Sequence, residues 1–383
     1  MSTTVLDPST ERARFEVVEG IAYFNTASLA PQLHSVRAAG DAALGRRGEP
    51  WRIASSDWFT EVERLRDLFA QVIGADADGV ALIPASSYGL AIAAANLDAG
   101  PGQRVVVLDE EYPSGIYTWR AFVERTGAEL HTVRRESGQS WAEAILSALD
   151  ERTAILSVPN VHWTNGALVD LAPVCERAHE LGAAVVLDLS QSLGAMPVDL
   201  AALRPDFLIS VGYKWLLGPL SVAYLYVDER HREGQPIEHN WIVREGADDF
   251  AGLVEYTDAL QPGARRFDVG ARTNFVLTPM AIAALEQVLE WSVPRIGSAL
   301  AGITAAIEES ARARDLGAVP AAERGPHIVG IEVPEARREA ILRELQAREV
   351  HLGPRSTWLR ASPHLHTSEA DIEQLFAALD AVL

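Results

Sequence analysis

Lysine is almost absent from this sequence. Of its 33 basic residues Lys214 alone is a lysine, and the other 32 are arginine. Arginine cannot lose its proton in a protein, whereas a desolvated lysine can, and it then acts as a nucleophile. Lys214 lies in the apolar stretch 206–219, and lysine is rarely buried without a partner or a role. The sequence therefore indicates amine chemistry at Lys214. The alternative is one leftover surface lysine in an arginine-biased chain.

Cysteine is equally scarce, because Cys175 is the only one. A single thiol excludes a disulfide framework and a cysteine-based metal site. Cys175 falls in a helical pattern over residues 171–181, where a small buried side chain is the natural interpretation. No metal site is predicted.

Excess positive charge and long apolar runs are also missing. The net charge of −20 argues against nucleic acid and anionic membranes as partners. No apolar run approaches the roughly 20 residues that span a bilayer. The N-terminus lacks the basic and apolar segments of a signal peptide. We therefore expect a cytoplasmic protein without nucleic-acid or membrane partners.

The residues that are present suit a large buried core. Apolar residues make up 48% of a chain of 383 residues, a length that suggests two domains. Short apolar runs alternate with helical stretches, which predicts an α/β fold with a mainly parallel sheet covered on both faces. The seven runs are 80–84, 104–108, 129–133, 154–158, 183–187, 206–210 and 222–227.

The rest of the chain is predicted more coarsely. Residues 1–18 are polar and indicate an arm, and residues 236–272 indicate an irregular excursion. A long helix is predicted from Pro279 to about Arg314, with Thr278 as its N-cap and the proline at its first position. The remaining segments indicate a small α/β domain: 328–333, 335–348, 358–362 and 368–383.

A carboxylate residue precedes the lysine in the sequence and stands at the end of a predicted strand. Asp188 directly follows the buried run 183–187, and Gln191 comes three residues later. Ligands of open α/β sheets bind at the carboxyl ends of the strands. A pyridoxal phosphate site needs a lysine that holds the cofactor aldehyde as a Schiff base. It also needs an Asp that keeps the ring nitrogen protonated.

The pattern Asp188-x-x-Gln191 followed by Lys214 resembles the class V aminotransferases. This family of fold-type I pyridoxal phosphate enzymes includes cysteine desulfurases, kynureninases and isopenicillin-epimerase-like proteins. The resemblance implies a seven-stranded mainly parallel sheet with helices on both faces and a small C-terminal α/β domain. It implies an N-terminal segment 1–35 that joins the small domain, a large cofactor-binding domain 36–275 and a small domain 276–383.

Two segments match the family's phosphate contacts. Ser86, Ser87 and Tyr88 follow the first large-domain strand and open a helical run, where backbone N–H groups form an anion site. An ordinary N-cap is the alternative. The resemblance implies that this turn holds the cofactor phosphate, with Ser87 at the usual Thr position. Gly212-Tyr213-Lys214 departs from the common Ser-x-His-Lys, which leaves Tyr213 as a further phosphate donor.

Two further turns match positions around the cofactor ring. The resemblance implies that Tyr112 stacks on the pyridine ring, a buried tyrosine at a strand end being the alternative. In the turn 160–166, His162 stands where the family has an Asn that reaches the ring hydroxyl or the substrate. Thr164 lies in the same turn. His162 is interpreted either as a proton-transfer group or as a hydrogen-bonding spacer.

Substrate and partner contacts come from three other places. Arg360 matches the family arginine that holds the substrate carboxylate, a task suited to a planar guanidinium. A solvated surface arginine is the alternative. Asn25 lies in the segment 21–31 that matches the edge of the active site. The stretch 270–274 matches a region that reaches across a dimer interface, which implies a homodimer with Thr273 donated to the partner's phosphate.

The expected function is that of a pyridoxal-phosphate enzyme acting on an amino acid, with Lys214, Asp188 and His162 as catalytic residues. We expect an aminotransferase of class V. A lyase, either kynureninase-like or β-eliminating, or an epimerase is the alternative, and a catalytically silent cofactor-binding protein is least favoured. Cysteine desulfurases need a nucleophilic cysteine near the C-terminus, and no cysteine follows Cys175.

Overall fold

A computed structural model describes residues 6–136 and 138–383. Within those ranges the chain forms two sheets and helices that cover them. The strands are β1 (Ala22–Phe24), β2 (Val80–Ile83), β3 (Arg104–Leu108), β4 (Glu129–Val133), β5 (Thr153–Val158), β6 (Ala184–Asp188), β7 (Phe207–Val211), β8 (Ala223–Val227), β9 (Val329–Glu332), β10 (Val350–Arg355) and β11 (Trp358–Ala361). The helices are α1 (Pro8–Glu11), α2 (His34–Arg47), α3 (Asp57–Ile73), α4 (Ser86–Asn96), α5 (Pro113–Thr126), α6 (Trp141–Ala148), α7 (Leu171–Glu180), α8 (Leu200–Leu203), α9 (Leu277–Trp291), α10 (Val293–Arg312), α11 (Arg338–Ala347) and α12 (Glu369–Asp380).

The larger sheet confirms the predicted fold class. Its strand order is β2-β8-β7-β6-β5-β3-β4, and β8 runs in the direction opposite to the other six strands. Each strand begins and ends within one residue of a predicted run. β3, β5, β6 and β7 are buried along nearly their whole length. This burial is why they are continuous apolar runs rather than alternating ones.

Local signals set several helix ends. Ser140 and Glu143 form a reciprocal capping box at the start of α6, which satisfies two backbone donors that the helix itself leaves free. Pro113 begins α5, and Gly127 ends it with φ of +76°, a left-handed conformation that glycine adopts without steric cost. These ends place α5 directly after the turn that follows β3.

The smaller sheet joins the two ends of the chain. Its order is β1-β10-β11-β9, with β1 parallel to β10 and Ala22 opposite Val350. β1 and β10 were not predicted as strands; the partner of β1 is distant in sequence, whereas β10 forms a hairpin with β11 that the sequence analysis did not recognise. The association of the N-terminal segment with this sheet is compatible with the predicted domain boundaries, which stay a prediction.

The single long helix from Pro279 was a wrong prediction. α9 ends at Trp291 and α10 begins at Val293, with Ser292 between them at φ of +64°. Pro294 stands at the start of α10, where its missing N–H and its ring oppose continuation of the preceding helix.

The predicted N-cap of that helix was also wrong. Thr278 lies inside α9 and is buried. The side-chain Oδ1 of Asn274 instead accepts hydrogen bonds from the backbone N–H groups of Val276 (3.0 Å) and Leu277 (2.9 Å). Asparagine is a strong capping residue, so the signal was present four residues upstream.

The polar arm is docked rather than free over the part that the structure describes. Leu6 and Phe15 are buried, and Arg12 forms an ion pair of 2.6 Å with Asp371. The predicted arm therefore packs against the rest of the chain from residue 6 onwards, and its assignment to the small domain stays a prediction, while residues 1–5 lie outside the described ranges.

The excursion 236–272 is irregular as predicted, with only short 3-10 turns. A buried charge cluster anchors its end. Asp268 accepts hydrogen bonds from Arg66 (2.7 Å) and from the backbone N–H of Leu82 (2.7 Å), and it also pairs with Arg272. The cluster ties α3 and β2 to residue 268. No helix within the described ranges is long and apolar enough to cross a bilayer.

Candidate active site

A cavity lies at the carboxyl ends of the large sheet. β2, β3, β5, β6 and β7 all point their carboxyl ends towards it, because parallel strands end at the same edge. Six of the residues predicted for the site line this cavity: Ser86, Tyr112, Asp188, Gln191, Tyr213 and Lys214. The remaining lining residues are Glu111, Pro159, Val161, Trp163, Ser190 and Val211.

The single lysine is buried in this cavity. Lys214 is 7% exposed, and its Nζ lies 5.5 Å from the ring centroid of Tyr112 and 5.8 Å from that of Tyr213. The pKa of Lys214 is lowered to about 8, chiefly by burial and to a lesser extent by Arg360 and Arg355, while Asp188 opposes the shift. About a tenth of the amine is therefore neutral at pH 7, and the neutral form is the one that acts as a nucleophile.

A close backbone approach fixes the segment that carries Lys214. Gly194 has φ of +103°, and a Cβ at this position would meet the carbonyl oxygen of Trp215. Beyond the lysine, the backbone N–H of Leu217 donates to the Lys214 carbonyl at 3.1 Å. The chain after β6 thus packs directly against the lysine segment, which only glycine allows here.

Asp188 ends β6 and faces the same cavity. Its Oδ1 accepts a 2.9 Å hydrogen bond from the backbone N–H of Ser190. Burial raises the pKa of Asp188, while Ser190 and Lys214 lower it. Gln191 is held by two contacts: its Nε2 donates to the Ala27 carbonyl at 3.1 Å, and its Oε1 accepts from the Trp215 indole at 3.4 Å.

The predicted phosphate turn opens α4. Ser86 is buried and lines the cavity, and the first turn of α4 has no side-chain cap. The free N–H groups of a helix start attract anions. Ser87 is exposed, and the Tyr88 hydroxyl donates to Glu238 Oε2 at 2.8 Å; neither residue lines the cavity.

His162 and Thr164 lie in a neighbouring cavity. His162 Nδ1 is 2.7 Å from Thr164 Oγ1, its Nε2 is 3.1 Å from the Asp109 carbonyl, and its ring stacks on Trp141. Burial lowers the pKa of His162 to about 4. The imidazole is neutral at pH 7 and occupied on both nitrogens. The structure does not bring these two residues to Lys214.

Arg360 and Asn25 are brought together. Arg360 is 1% exposed, and its guanidinium donates to the Trp163 carbonyl (2.6 Å), to Ser28 Oγ (2.9 Å) and to Asn25 Oδ1 (3.4 Å). Burial, with Arg355 nearby, lowers the pKa of Arg360 to about 9. The group still carries its positive charge at pH 7, within electrostatic range of Lys214.

Thr273 is placed away from the cavity of its own chain. Its hydroxyl donates to the Trp58 carbonyl at 2.6 Å, and it is not among the residues around Lys214. The predicted role across a dimer interface stays a prediction.

Sequence reasoning assigned no role to Glu111, Ser190, Ser28 or Arg355. Glu111 and Ser190 flank residues that were assigned, so their neighbours Tyr112 and Asp188 could have pointed to them. Burial raises the pKa of Glu111 to about 8. Arg355 gave no signal, because it is one of 32 arginines and β10 was not recognised.

The residues present fit pyridoxal phosphate. The cavity offers a buried amine of lowered pKa, a carboxylate, an aromatic face and an uncapped helix start. These four groups match the aldehyde, the ring nitrogen, the ring face and the phosphate of that cofactor. Within the described ranges, no cluster of three or more His, Cys, Asp or Glu side chains could hold a metal ion. Fold and site thus define a fold-type I pyridoxal-phosphate protein.

Comparison with known proteins gives the family. A sequence profile described as "Aminotransferase class-V" matches residues 52–375. The chain belongs to the class V aminotransferases, a family of enzymes whose cofactor is pyridoxal 5′-phosphate. This finding confirms the resemblance and the cofactor predicted from the sequence.

The similar proteins carry several activities. The chain is 28% identical to an uncharacterized aminotransferase of Bacillus subtilis, YcbU, over 88% of this chain and 86% of that protein. It is 27% identical to isopenicillin N epimerase of Streptomyces clavuligerus, over 83% of each chain. It is 30% identical to kynureninase of Deinococcus radiodurans, over 62% of this chain and 55% of that one.

Solved structures share the fold at lower identity. A C-DES mutant with glycine covalently linked to its PLP cofactor superimposes with a TM-score of 0.89, at 19% identity and over 97% of this chain and 99% of that one. A cysteine desulfurase of Thermococcus onnurineus superimposes with a TM-score of 0.83 at 19% identity, over 100% and 99%. Such likeness establishes the fold and leaves the reaction open.

Proposed function

We propose that this enzyme is an aminotransferase that acts on an amino acid. The observation that carries the proposal is the proximity of Lys214 and Arg360. Arg360 is close enough to lower the pKa of Lys214, and its guanidinium donates to the carbonyl of Trp163, which lines the cavity of the lysine. A nucleophilic amine next to a buried cation suits a substrate that carries an amino group and a carboxylate on one carbon.

Pyridoxal phosphate supplies an aldehyde that condenses with amines and a ring that withdraws electrons from bonds at the substrate α-carbon. We assign Lys214 to hold the cofactor covalently and, when released by the substrate amine, to move the proton at the α-carbon. Because Lys214 is neutral in part at pH 7, it can accept that proton.

The other cavity residues orient the cofactor. Asp188 retains the proton on the ring nitrogen, and Tyr112 covers one ring face. Ser86 and the start of α4 receive the phosphate, with Tyr213 as an additional donor and Ser87 and Tyr88 next to them in the same turn. Gln191 is held in place by Trp215 and Ala27, and it lines the cavity that would hold the cofactor.

His162 is better suited to the spacer role than to proton transfer. Both of its nitrogens have partners, and its pKa of about 4 leaves little imidazolium at neutral pH. We propose that His162 and Thr164 stiffen the turn that presents Trp163. The substrate carboxylate is assigned to Arg360, supported by Asn25.

A lyase or an epimerase is the alternative, because the similar proteins include both an epimerase and kynureninases. Persulfide chemistry is not proposed. Cys175 is fully buried in α7, and burial raises the pKa of its thiol to about 12, so it is not a nucleophile. The homodimer and the cytoplasmic location expected from the sequence remain part of this proposal.

A single-turnover spectrum separates the reactions. The yellow holoenzyme is mixed with a panel of amino acids in the absence of a keto acid. Transamination leaves the amine form of the cofactor, so the yellow absorption is lost and returns when a keto acid is added. A lyase or epimerase retains the yellow absorption while product accumulates. That second outcome, for every reactive amino acid, contradicts the proposed transamination.

A further inference from the structure

Among the residues that the structure describes, two guanidinium groups near Lys214 have no carboxylate partner. Five arginines are buried in the described ranges, and four of them form ion pairs. Arg360 is the fifth, and it pairs with no acid there although it is 1% exposed. The half-buried Arg355 also lacks one, and its Nε is a buried donor without a partner. In a chain of net charge −20, two such cations side by side call for an external anion.

The two arginines converge on one hydroxyl. Arg360 Nη2 donates to Ser28 Oγ at 2.9 Å, and Arg355 Nη2 donates to the same oxygen at 3.4 Å. Through charge repulsion Arg355 lowers the pKa of Arg360, and both arginines lower the pKa of Lys214. The Nε of Arg360 is also a buried donor without a partner. Both guanidinium groups therefore retain unused donors around Ser28.

Arg360 and Arg355 differ in how deeply they are buried. Arg360 is fully buried beneath the Trp163 carbonyl, whereas Arg355 is half-buried and its Cζ lies 5.3 Å from the centroid of the Trp163 ring. Tyr112, which lines the cavity and is 39% exposed, makes an edge-to-face contact with the same Trp163 ring. One cation thus lies deep and the other lies nearer solvent, with an aromatic wall beside them.

We propose that the substrate carries a second, distal anionic group, and that Arg355 binds it while Arg360 binds the α-carboxylate. The substrate class is an amino acid with an acidic side chain. This inference rests on the aminotransferase proposal for its reactive end. The alternative geometry, in which both arginines bind one carboxylate, predicts no preference for a second acid.

Calorimetric titration of the holoenzyme tests the inference without turnover. The probes are glutarate and valerate, which have the same five-carbon chain and differ only in the second carboxylate. We expect glutarate to bind at least about tenfold more tightly, as one additional charge-assisted contact implies. Arg355→Gln removes this preference and changes valerate affinity less than about threefold, whereas Arg360→Gln weakens both probes.

Arg343→Gln is the matched control, because Arg343 is 73% exposed on α11 and makes one ion pair with Glu339. It should leave both affinities unchanged. Equal binding of the two probes by the unmodified enzyme overturns the inference. So does an Arg355→Gln variant that keeps the preference, or one that loses glutarate and valerate affinity equally.

Kinetics with glutamate and norvaline, again of equal chain length, separate this inference from the proposed reaction. If glutamate is preferred and Arg355→Gln abolishes the preference, the acidic-substrate assignment holds even where the product is that of a lyase. If transamination occurs with norvaline and glutamate alike, the reaction proposal stands and the distal-anion assignment fails.

Discussion

The Nζ of Lys214 lies 5.5 Å from the ring centroid of Tyr112. Lys214 is the only lysine of the chain, and Tyr112 is the aromatic residue proposed to cover the cofactor. The two side chains therefore face the same cavity. The two residues reach it from the ends of β7 and β3. Because these strands are not adjacent in the sheet, the space between their ends is bounded by β6 and β5, which supply Asp188 and Trp163.

We expect the cofactor to be attached to Lys214. Borohydride treatment of the yellow protein, followed by peptide mapping, should place the reduced cofactor on the peptide that contains residue 214. Lys214→Arg keeps the charge but cannot form the bond, so it should bind no cofactor covalently and lose activity. Labelling of the N-terminal amine instead would contradict the assignment.

Attachment should depend on pH in a defined direction. The pKa of Lys214 is lowered to about 8 by burial, so the reactive neutral amine is the minor form at pH 6 and the major form at pH 9. The rate at which apoprotein captures the cofactor should rise about tenfold per pH unit below 8 and level off above it. Stopped-flow absorbance measures this. A rise that continues to pH 10 would indicate an unshifted lysine.

Asp188→Ala should retain covalent cofactor and lose activity by about 10²-fold or more, because the charge opposite the ring nitrogen is removed from a buried site. Activity and absorbance are measured on the same preparation, so loss of cofactor is distinguished from loss of catalysis. Asp170→Ala, at an exposed carboxylate before α7, is the control and should be fully active. An active Asp188→Ala enzyme would show that this carboxylate has another role.

Asp268→Asn should destabilise the fold by about 3–5 kcal/mol, because it leaves Arg272 buried without its counter-charge. It also leaves Arg66 with Glu63 as its remaining acid partner. The paired arginines lower the pKa of Asp268. Its stabilising contribution is thus complete above the unfolded value of about 4 and is lost as pH falls through the lower folded value. Urea unfolding at pH 7 measures the effect.

The control for that variant is Asp41→Asn. Asp41 pairs with Arg37 on the surface of α2, at 3.3 Å and with its side chain 64% exposed. Its loss should cost about 0.5 kcal/mol or less. Similar costs for the two substitutions would mean that the buried cluster contributes no more than a surface pair.

Subunit mixing tests the predicted dimer. If Thr273 completes the partner's site, a heterodimer of Lys214→Ala and Thr273→Ala subunits contains one intact site, and activity should recover on mixing two nearly inactive proteins. If Thr273 acts within its own chain, no intact site forms and mixing restores nothing. Light scattering establishes the oligomeric state of each preparation. A fully active monomer would refute the dimer outright.

The sequence alone determined the central strands and the reactive residues. A strand buried on both faces must be a short apolar run, so β3, β5, β6 and β7 could be predicted from local composition. A lone lysine and an Asp at a strand end are chemical signals that need no knowledge of distant contacts. The family and the cofactor were predicted from the same residues, and the profile match confirmed both.

Only the tertiary structure decided how distant segments combine. Ser28 and Arg360 are 332 residues apart in sequence and are hydrogen-bonded in the structure, and no local pattern encodes such a pair. The same holds for Arg355, whose strand was not recognised, and for His162, whose ring turns towards Trp141 and the Asp109 carbonyl rather than towards Lys214. Side-chain direction depends on which neighbour offers packing or an acceptor, and these neighbours are assembled only when the sheets form.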